Sequence, residues 1–267
     1  MFDRYLKRWN LTRDGILIVT HSSDLLPVRQ DDRPAMLKVA REAEERRGAS
    51  LMAWWDGDGA ARVLAHDGDA VLLERATGHR SLTAMVREGA DDEASRILCD
   101  VAARLHAPRN RALPDLIPLS AWFAELEPAA AKHGGALARA ADMARSLLSE
   151  QQETAVLHGD LHHGNVLDFG ARGWLAIDPK RLVGERGFDF ANIFRNPDLD
   201  IATAPGRLER QASVVAEAAS LDRTRLLKWV LAYAGLSAAW ALGDGTSPEP
   251  DLAIARLAIV ALGGEAG

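Results

Sequence analysis

Apolar residues change their rhythm near residue 80. Before it they come in short runs at the strand period: Ile16 to Thr20, Val28 to Gln30, Met36 to Val39, Ala61 to Leu64 and Ala70 to Leu73. Asp31-Asp32-Arg33-Pro34 and His66-Asp67-Gly68-Asp69 are turn signals between neighbouring runs. One helix is expected among these strands, over Arg41 to Trp55, with Leu51, Met52 and Trp55 on its buried face. Beyond Ser81 the period becomes helical. Helices are expected over Asp91 to His106 (ended by Pro108), from a Ser120 cap through Trp122 and Phe123, over Leu137 to Leu148, from an Asp222 cap through Trp229, Tyr233 and Trp240, and over Leu252 to Leu262. Trp229 to Leu242 is too short to span a bilayer and reads as a core helix.

One island of strand pattern interrupts the helices. Ala155-Val156-Leu157 runs into His158-Gly159-Asp160, and Val166-Leu167 and Trp174 to Ile177 flank a turn at Phe169 to Gly173. Folding these two runs into a hairpin puts Asn165 at its start beside Asp178 at its end. Pro179 then stops the ladder. An aspartate five residues before an asparagine, with a second aspartate returning to that asparagine, is what phosphoryl transfer asks for. The first carboxylate, Asp160, faces a substrate hydroxyl, while Asn165 and Asp178 share Mg²⁺. Asp168-Phe169-Gly170 spells a kinase metal motif, but it falls at the far tip of the hairpin and reads as turn chemistry. His158 is expected to brace the loop backbone. His158, His162 and His163 lack the spacing of a zinc site.

Several upstream residues fit the same chemistry. Lys38 lies in an apolar strand, where an ammonium requires a partner, and is expected on the phosphates of a nucleotide. Glu44 or Glu45 on the following helix would pair with it. Ser22 and Ser23 sit in a glycine-free turn that would cover the phosphates, and Glu74 to Gly78, through Glu74 and Ala76, would offer backbone to adenine. Asp189 is read first as a helix cap, with bracing of the catalytic loop as the second reading.

Composition narrows the class without identifying it. The 267 residues carry 48% hydrophobic and 26% charged side chains, ordinary for a globular protein with room for two lobes. A net charge of −6 argues against a nucleic-acid partner and suits a cationic small molecule. Cys99 stands alone in a helical pattern, so a buried thiol and a reducing, cytoplasmic setting are expected. The first residues lack a secretory apolar stretch, and no membrane association is expected.

Taken together, HGDLHHGNVL, GWLAIDP, LVGERGFDFANIF and AGLSAAW, with LPVRQ, PAMLKVAR, WWDGDGAARVL and NPDL, resemble the bacterial aminoglycoside 6-phosphotransferases. These are the streptomycin kinases of the aminoglycoside/hydroxyurea resistance group, and the likeness spans nearly the whole chain. The resemblance implies an α+β, two-lobed protein-kinase-like fold. A small β-rich lobe over residues 1–75 would bind the nucleotide, and a larger, mainly helical lobe over 76–267 would carry catalysis and the substrate, with a hinge near 74–78. It implies ATP and Mg²⁺ as cofactors, Asp160 as catalytic residue, Asn165 and Asp178 as metal ligands, and Lys38 as the phosphate lysine. It also favours Glu45 over Glu44 as the partner of Lys38. The expected reaction is 6-phosphorylation of streptomycin by a monomeric enzyme, conferring antibiotic resistance. Other readings are a kinase for an amino sugar, a choline-like amine or a hydroxyurea-like compound, and a non-catalytic nucleotide-binding protein. For a cationic substrate, Glu185, Asp189 and Asp244 are candidate contacts and Trp240 a candidate wall. Lys180 and Arg181 would have to face solvent or phosphate.

Overall fold

The computed structural model describes residues 2–41 and 43–264, and the side chains of all of these except 43–47. The chain opens with helix α1 (Asp3–Arg8) and then builds strands β1 (Leu11–Arg13), β2 (Ile18–Val19), β3 (Ser23–Gln30) and β4 (Arg33–Ala40). Helix α2 (Ala43–Trp55) follows, then β5 (Val63–Asp67) and β6 (Ala70–Glu74). These strands form one antiparallel sheet in the order β1-β3-β4-β6-β5, with β2 paired to β3.

From residue 82 helices dominate: α3 (Leu82–Arg87), α4 (Asp91–His106), α5 (Leu119–Trp122), α6 (Leu126–His133) and α7 (Gly135–Ser149). The short strands β7 (Ile117–Pro118), β8 (Thr154–Leu157) and β11 (Leu182–Glu185) make a three-stranded sheet, and β9 (Val166–Asp168) pairs with β10 (Trp174–Ala176) as a hairpin. A 3₁₀ segment at Arg186–Arg195 leads to α8 (Leu199–Ala202), α9 (Arg207–Ala218), α10 (Arg223–Gly243) and α11 (Glu249–Ala261). An antiparallel sheet followed by a helical part makes the fold α+β, as the family resemblance implied.

Three apolar clusters hold these parts. The first seats Phe2 and Tyr5 of the α1 region on Leu26, Val28, Leu37 and Leu72 of the sheet. The largest surrounds Trp229, Phe188 and Leu98 among the helices and also takes in Leu51, Trp54 and Trp55 of α2. The third is the joint: Met52, Val71 and Leu73 pack on Phe169 and Leu175 of the hairpin. Backbone hydrogen bonds from Ala61 N to Ala176 O and from Ala176 N to Gly59 O (both 2.9 Å) lock the hairpin to the sheet side. The hairpin is thus placed under the sheet by packing on one face and by a ladder at its edge. Helix α10 is long and apolar enough to cross a membrane, but it is mostly buried among α6, α7, α9 and α11. Its N-terminus is where the sequence put it: Asp222 accepts a hydrogen bond from Arg225 N at 2.6 Å.

Some local expectations fail for physical reasons. The apolar run from residue 16 yields only the two-residue β2, and Ile16 is 87% and Val19 61% exposed, because no second layer covers that edge. Conversely β3 begins at Ser23, well before Val28. Its interior Pro27 is tolerated because it falls between the ends of β1 and β2, where Asp14 N still donates to Pro27 O at 2.9 Å and only the return bond is absent. Ser120 does not cap α5. Pro118 holds the N-cap position and Ser120 is exposed within the helix.

Candidate active site

Strand β8 delivers the chain to His158, which is fully buried, and to Gly159, whose φ of +82° suits glycine. A Cβ on Gly159 would also stand 2.8 Å from the Leu182 side chain. The sharp turn is fixed from beneath. Asp189 accepts hydrogen bonds from the backbone amides of His158 (2.8 Å) and Gly159 (2.6 Å), and lies 2.8 Å from His106 Nε2. Asp189 is 1% exposed and caps no helix, so the bracing reading holds and the capping one falls. His158 Nε2 lies 2.8 Å from Ile177 O and acts as donor there, while its Nδ1 accepts from Asp160 N at 3.2 Å. Burial pushes its pKa down, which keeps the neutral tautomer that these two bonds require.

Asp160 emerges from this braced turn with its carboxylate pinned at both oxygens. Asn165 Nδ2 donates to Oδ2 at 3.0 Å and to the Asp160 carbonyl at 2.9 Å, and Asn192 Nδ2 donates to Oδ1 at 2.8 Å. Asn192 is held in turn by Asn196, whose Nδ2 donates to its carbonyl at 2.9 Å and to its Oδ1 at 3.1 Å. Burial raises the Asp160 carboxyl to about 6, Lys180 pulls it back and Asp178 pushes it further up. A divalent cation nearby would favour the ionised form.

The hairpin register pairs Val166 with Ala176, and Ile177 N donates to Asn165 O at 2.9 Å. Asn165 therefore stands beside the step into Asp178. Both line a cavity of about 560 Å³ between the sheet and the hairpin, and Lys38 lines it from β4. Lys38 Nζ forms an ion pair with Asp178 across this cleft. An amide oxygen and a carboxylate beside space for phosphates are the hard, oxygen-only donors that Mg²⁺ takes from a protein. The described residues hold no cluster of three or more His, Cys, Asp or Glu that would suit a softer metal. Ser22, Ser23, Glu74 and Ala76 line the same cavity, whose other walls are apolar, among them Met36, Met52, Leu73 and Phe169. The Glu74 carboxylate is engaged elsewhere, accepting from Arg62 N at 2.7 Å and pairing with Arg172. The side chain of Glu45 lies outside the described residues. Gly48 of α2, which sequence reasoning passed over, also faces the cavity, and a Cβ there would come 3.2 Å from Pro179 O.

A second, more polar pocket of about 300 Å³ is lined by Asp160, His162, Asn192, Arg195, Asp198 and Asp251 among others, while Asn165, which donates to Asp160, lines the first cavity. None of the four substrate contacts expected from sequence lines it. Glu185 is 4% exposed and bound to Arg225 (2.6 and 2.7 Å), Trp229 Nε1 (2.7 Å) and Gln152 N (2.9 Å); burial raises its pKa, but these bonds together hold it low. Asp189 lies under the loop. Trp240 packs edge-on against Trp122 at 5.3 Å, and Asp244 is exposed at the end of α10. Besides Asp160 and His162, the residues that face the pocket come from the 3₁₀ segment, the segment from Asn196 to the start of α8, and the α11 region; of the quoted sequence motifs FANIF holds one of them and NPDL four.

Residues 8–245 match the family described as aminoglycoside/hydroxyurea antibiotic resistance kinase. The chain belongs to this family. Among curated relatives, a streptomycin 3''-kinase of Klebsiella pneumoniae is 56% identical over 93% of this chain and 95% of its own length. A streptomycin 6-kinase of Streptomyces griseus is 36% identical over 91% and 82%. Among solved structures, a thermostable mutant of aminoglycoside phosphotransferase APH(4)-Ia, in a ternary complex with AMP-PNP and hygromycin B, superposes with a TM-score of 0.70 at 16% identity, covering 97% of this chain and 96% of that one. That likeness establishes the protein-kinase-like fold.

In this resistance-kinase chain the Asp168-Phe169-Gly170 triplet is structural. Asp168 Oδ1 accepts from Gly170 N at 3.0 Å and Oδ2 from Arg80 Nε at 2.9 Å, while its carbonyl accepts from Gly78 N at 2.9 Å. A side chain at Gly78 would overlap the Asp168 carboxylate, so the turn and the chain leaving β6 are fitted to each other.

Proposed function

We propose that this kinase transfers the γ-phosphoryl group of ATP to a hydroxyl of streptomycin, at the 3'' position rather than the 6 position expected from sequence. The 3'' assignment rests on the 56% identity to a streptomycin 3''-kinase against 36% to a 6-kinase. A hydroxyurea-like acceptor is the second reading, since the family description includes it. The observation that carries the proposal is the position of Asp160: its carboxylate lines the polar, acid-lined pocket and is bonded to Asn165, which lines the apolar-walled cleft.

In this reading the triphosphate lies in the cleft between residues 1–75 and 76–267, with adenine against the backbone of 74–78. Lys38, steadied by Glu45, holds phosphate oxygens, and Ser22 and Ser23 cover them. Asn165 and Asp178 would hold Mg²⁺, which offsets phosphate charge when bound. Asp160 accepts the proton of the acceptor hydroxyl as its oxygen bonds to phosphorus and the bond to the ADP oxygen breaks. In a loose transition state that proton can leave late, so aim matters more than basicity. Asn192 supplies the aim. The modified drug gains negative charge and bulk, which is how it would lose its target.

The test is ADP release coupled to streptomycin, with the product's phosphate located by NMR. Asp160→Asn should lower kcat by about 10³-fold or more while leaving nucleotide binding intact. Retained turnover in that variant removes the assigned role, and phosphate at the 6-hydroxyl removes the regiochemistry.

A further inference from the structure

The polar pocket beyond Asp160 already holds a guanidinium. Arg195, at the end of the 3₁₀ segment, places Nε 3.0 Å from Oδ1 of Asp251 in the first turn of α11. The two partners are unequally exposed. The Arg195 side chain is 36% exposed and the Asp251 side chain 6%. Although buried, Asp251 Oδ1 accepts no well-directed hydrogen bond, so the guanidinium meets it as a charge rather than as a fitted fork. The remaining charges on the pocket wall are acidic. Asp160 is held by two carboxamides, and Asp198 caps α8 and pairs with Arg87 at 3.1 Å. Without Arg195 the lining would present three carboxylates and no cation from Lys or Arg.

We propose that Asp251 is the cation-recognition residue of the acceptor pocket, that Arg195 occupies its place while the pocket is empty, and that a guanidinium or ammonium group of the acceptor replaces Arg195 there. This rests on the function proposed above and extends it to the chemistry that selects the acceptor. A buried carboxylate is costly without a countercharge, so an empty pocket needs a resident cation. Arg195 can swing towards solvent on a flexible stem, whereas Asp251 is fixed on its helix. An acceptor guanidinium would bring the same planar donor set as the one it displaces, and an acceptor ammonium the same charge. A neutral polyol has nothing to offer Asp251 in exchange and leaves Arg195 in the way. Exchange of one cation for another thus rejects the neutral hydroxyl compounds of the cell without a steric barrier.

Opposite effects of the two partners on one constant test this. In steady-state kinetics with saturating ATP, Asp251→Asn should raise the KM for streptomycin about tenfold or more with kcat changed far less. Arg195→Ala should lower that KM, because the competing cation is gone. A merely structural ion pair predicts a rise in both variants, and that result overturns the assignment. Should Asp251→Asn fold poorly, Arg195→Ala at its more exposed position decides alone: an unchanged or raised KM is equally fatal. Wild-type turnover separates the two levels. No phosphorylation of streptomycin by the wild type removes the proposed function and this inference with it, whereas turnover with both variants shifted the same way removes the Asp251 assignment only.

Discussion

Replacing Asp189 is the most discriminating perturbation of the site, because two readings of that residue differ in size as well as kind. As a helix cap its loss would cost about 1 kcal/mol and leave catalysis untouched. The structure instead has its carboxylate serving His158 N, Gly159 N and His106 Nε2 at 2.8, 2.6 and 2.8 Å, with 1% of the residue exposed. Asp189→Ala strands three buried donors, each costing about 1–3 kcal/mol, so after some relaxation a loss of about 4 kcal/mol follows. At roughly 2–4 °C per kcal/mol for a chain of this size, Tm should fall by about 8–16 °C. Asp189→Asn keeps one acceptor but turns an amide N–H₂ against a backbone N–H, and should cost about half as much. The two amides define the turn that aims Asp160, so kcat should fall by about 10²-fold in both variants, with a smaller change in KM for ATP. Thermal unfolding and coupled ADP release measure both quantities. A Tm lowered by no more than 3 °C with kcat near wild type would refute the brace.

Other consequences follow from the same packing and charges. Gly235 lies in the middle of α10, where helix propensity alone says alanine should stabilise by about 1 kcal/mol. A Cβ there would overlap that of Ala140 on α7, so Gly235→Ala should instead destabilise by about 1–3 kcal/mol, and a raised Tm would contradict the tight α7–α10 crossing. Acidification should destabilise the fold between pH 6.5 and 4. Burial lowers the pKa of His158, and lowers His162 and His163 to about 4, so each binds a proton on unfolding in that window. Asp160, raised to about 6, and Asp251, also raised by burial, release protons and partly offset them. Three sites outweigh two, and a Tm flat or rising towards pH 4 would show the imidazoles to be solvated. Cys99 is buried and its thiol is pushed up to about 12, so a thiol reagent at pH 8 should label it only after denaturation; equal rates in native and unfolded protein would place it at the surface.

What the sequence could disclose was set by distance along the chain. The hairpin joining Asn165 to Asp178 was readable because strand period, turn and proline stop all lie within fourteen residues. Asp222 was readable as a cap for the same reason. The brace was ambiguous because a buried aspartate 30 residues past Gly159 can cap, pair or support, and only the packing of the 3₁₀ segment decides. Asn192, Arg195 and Asp251 were invisible as a group, since α11 meets the catalytic loop only after the helical part has closed. The apolar run at Ile16 to Val19 misled in the other direction: hydrophobic patterning reports what would profit from burial, not whether a second layer is there to provide it.

The cations after Pro179 bear on how the proposed site for a cationic acceptor tolerates positive charge. Arg181 adopts φ +56°, is 3% exposed, and donates through Nη1 to Asp115 O at 2.8 Å and towards its Oδ2 at 3.3 Å. Its charge is spent joining the segment before β7 to the start of β11, away from any ligand. Lys180 is different. Its backbone N–H donates to His158 O at 2.7 Å, which places it against the catalytic turn, and its charge draws the Asp160 carboxyl down against the opposing push of Asp178. It lines neither the pocket that holds Arg195 and Asp251 nor the cleft that holds Lys38. Neither cation after Pro179 therefore alters the acidic lining of the pocket that Asp160, Asp198 and Asp251 share.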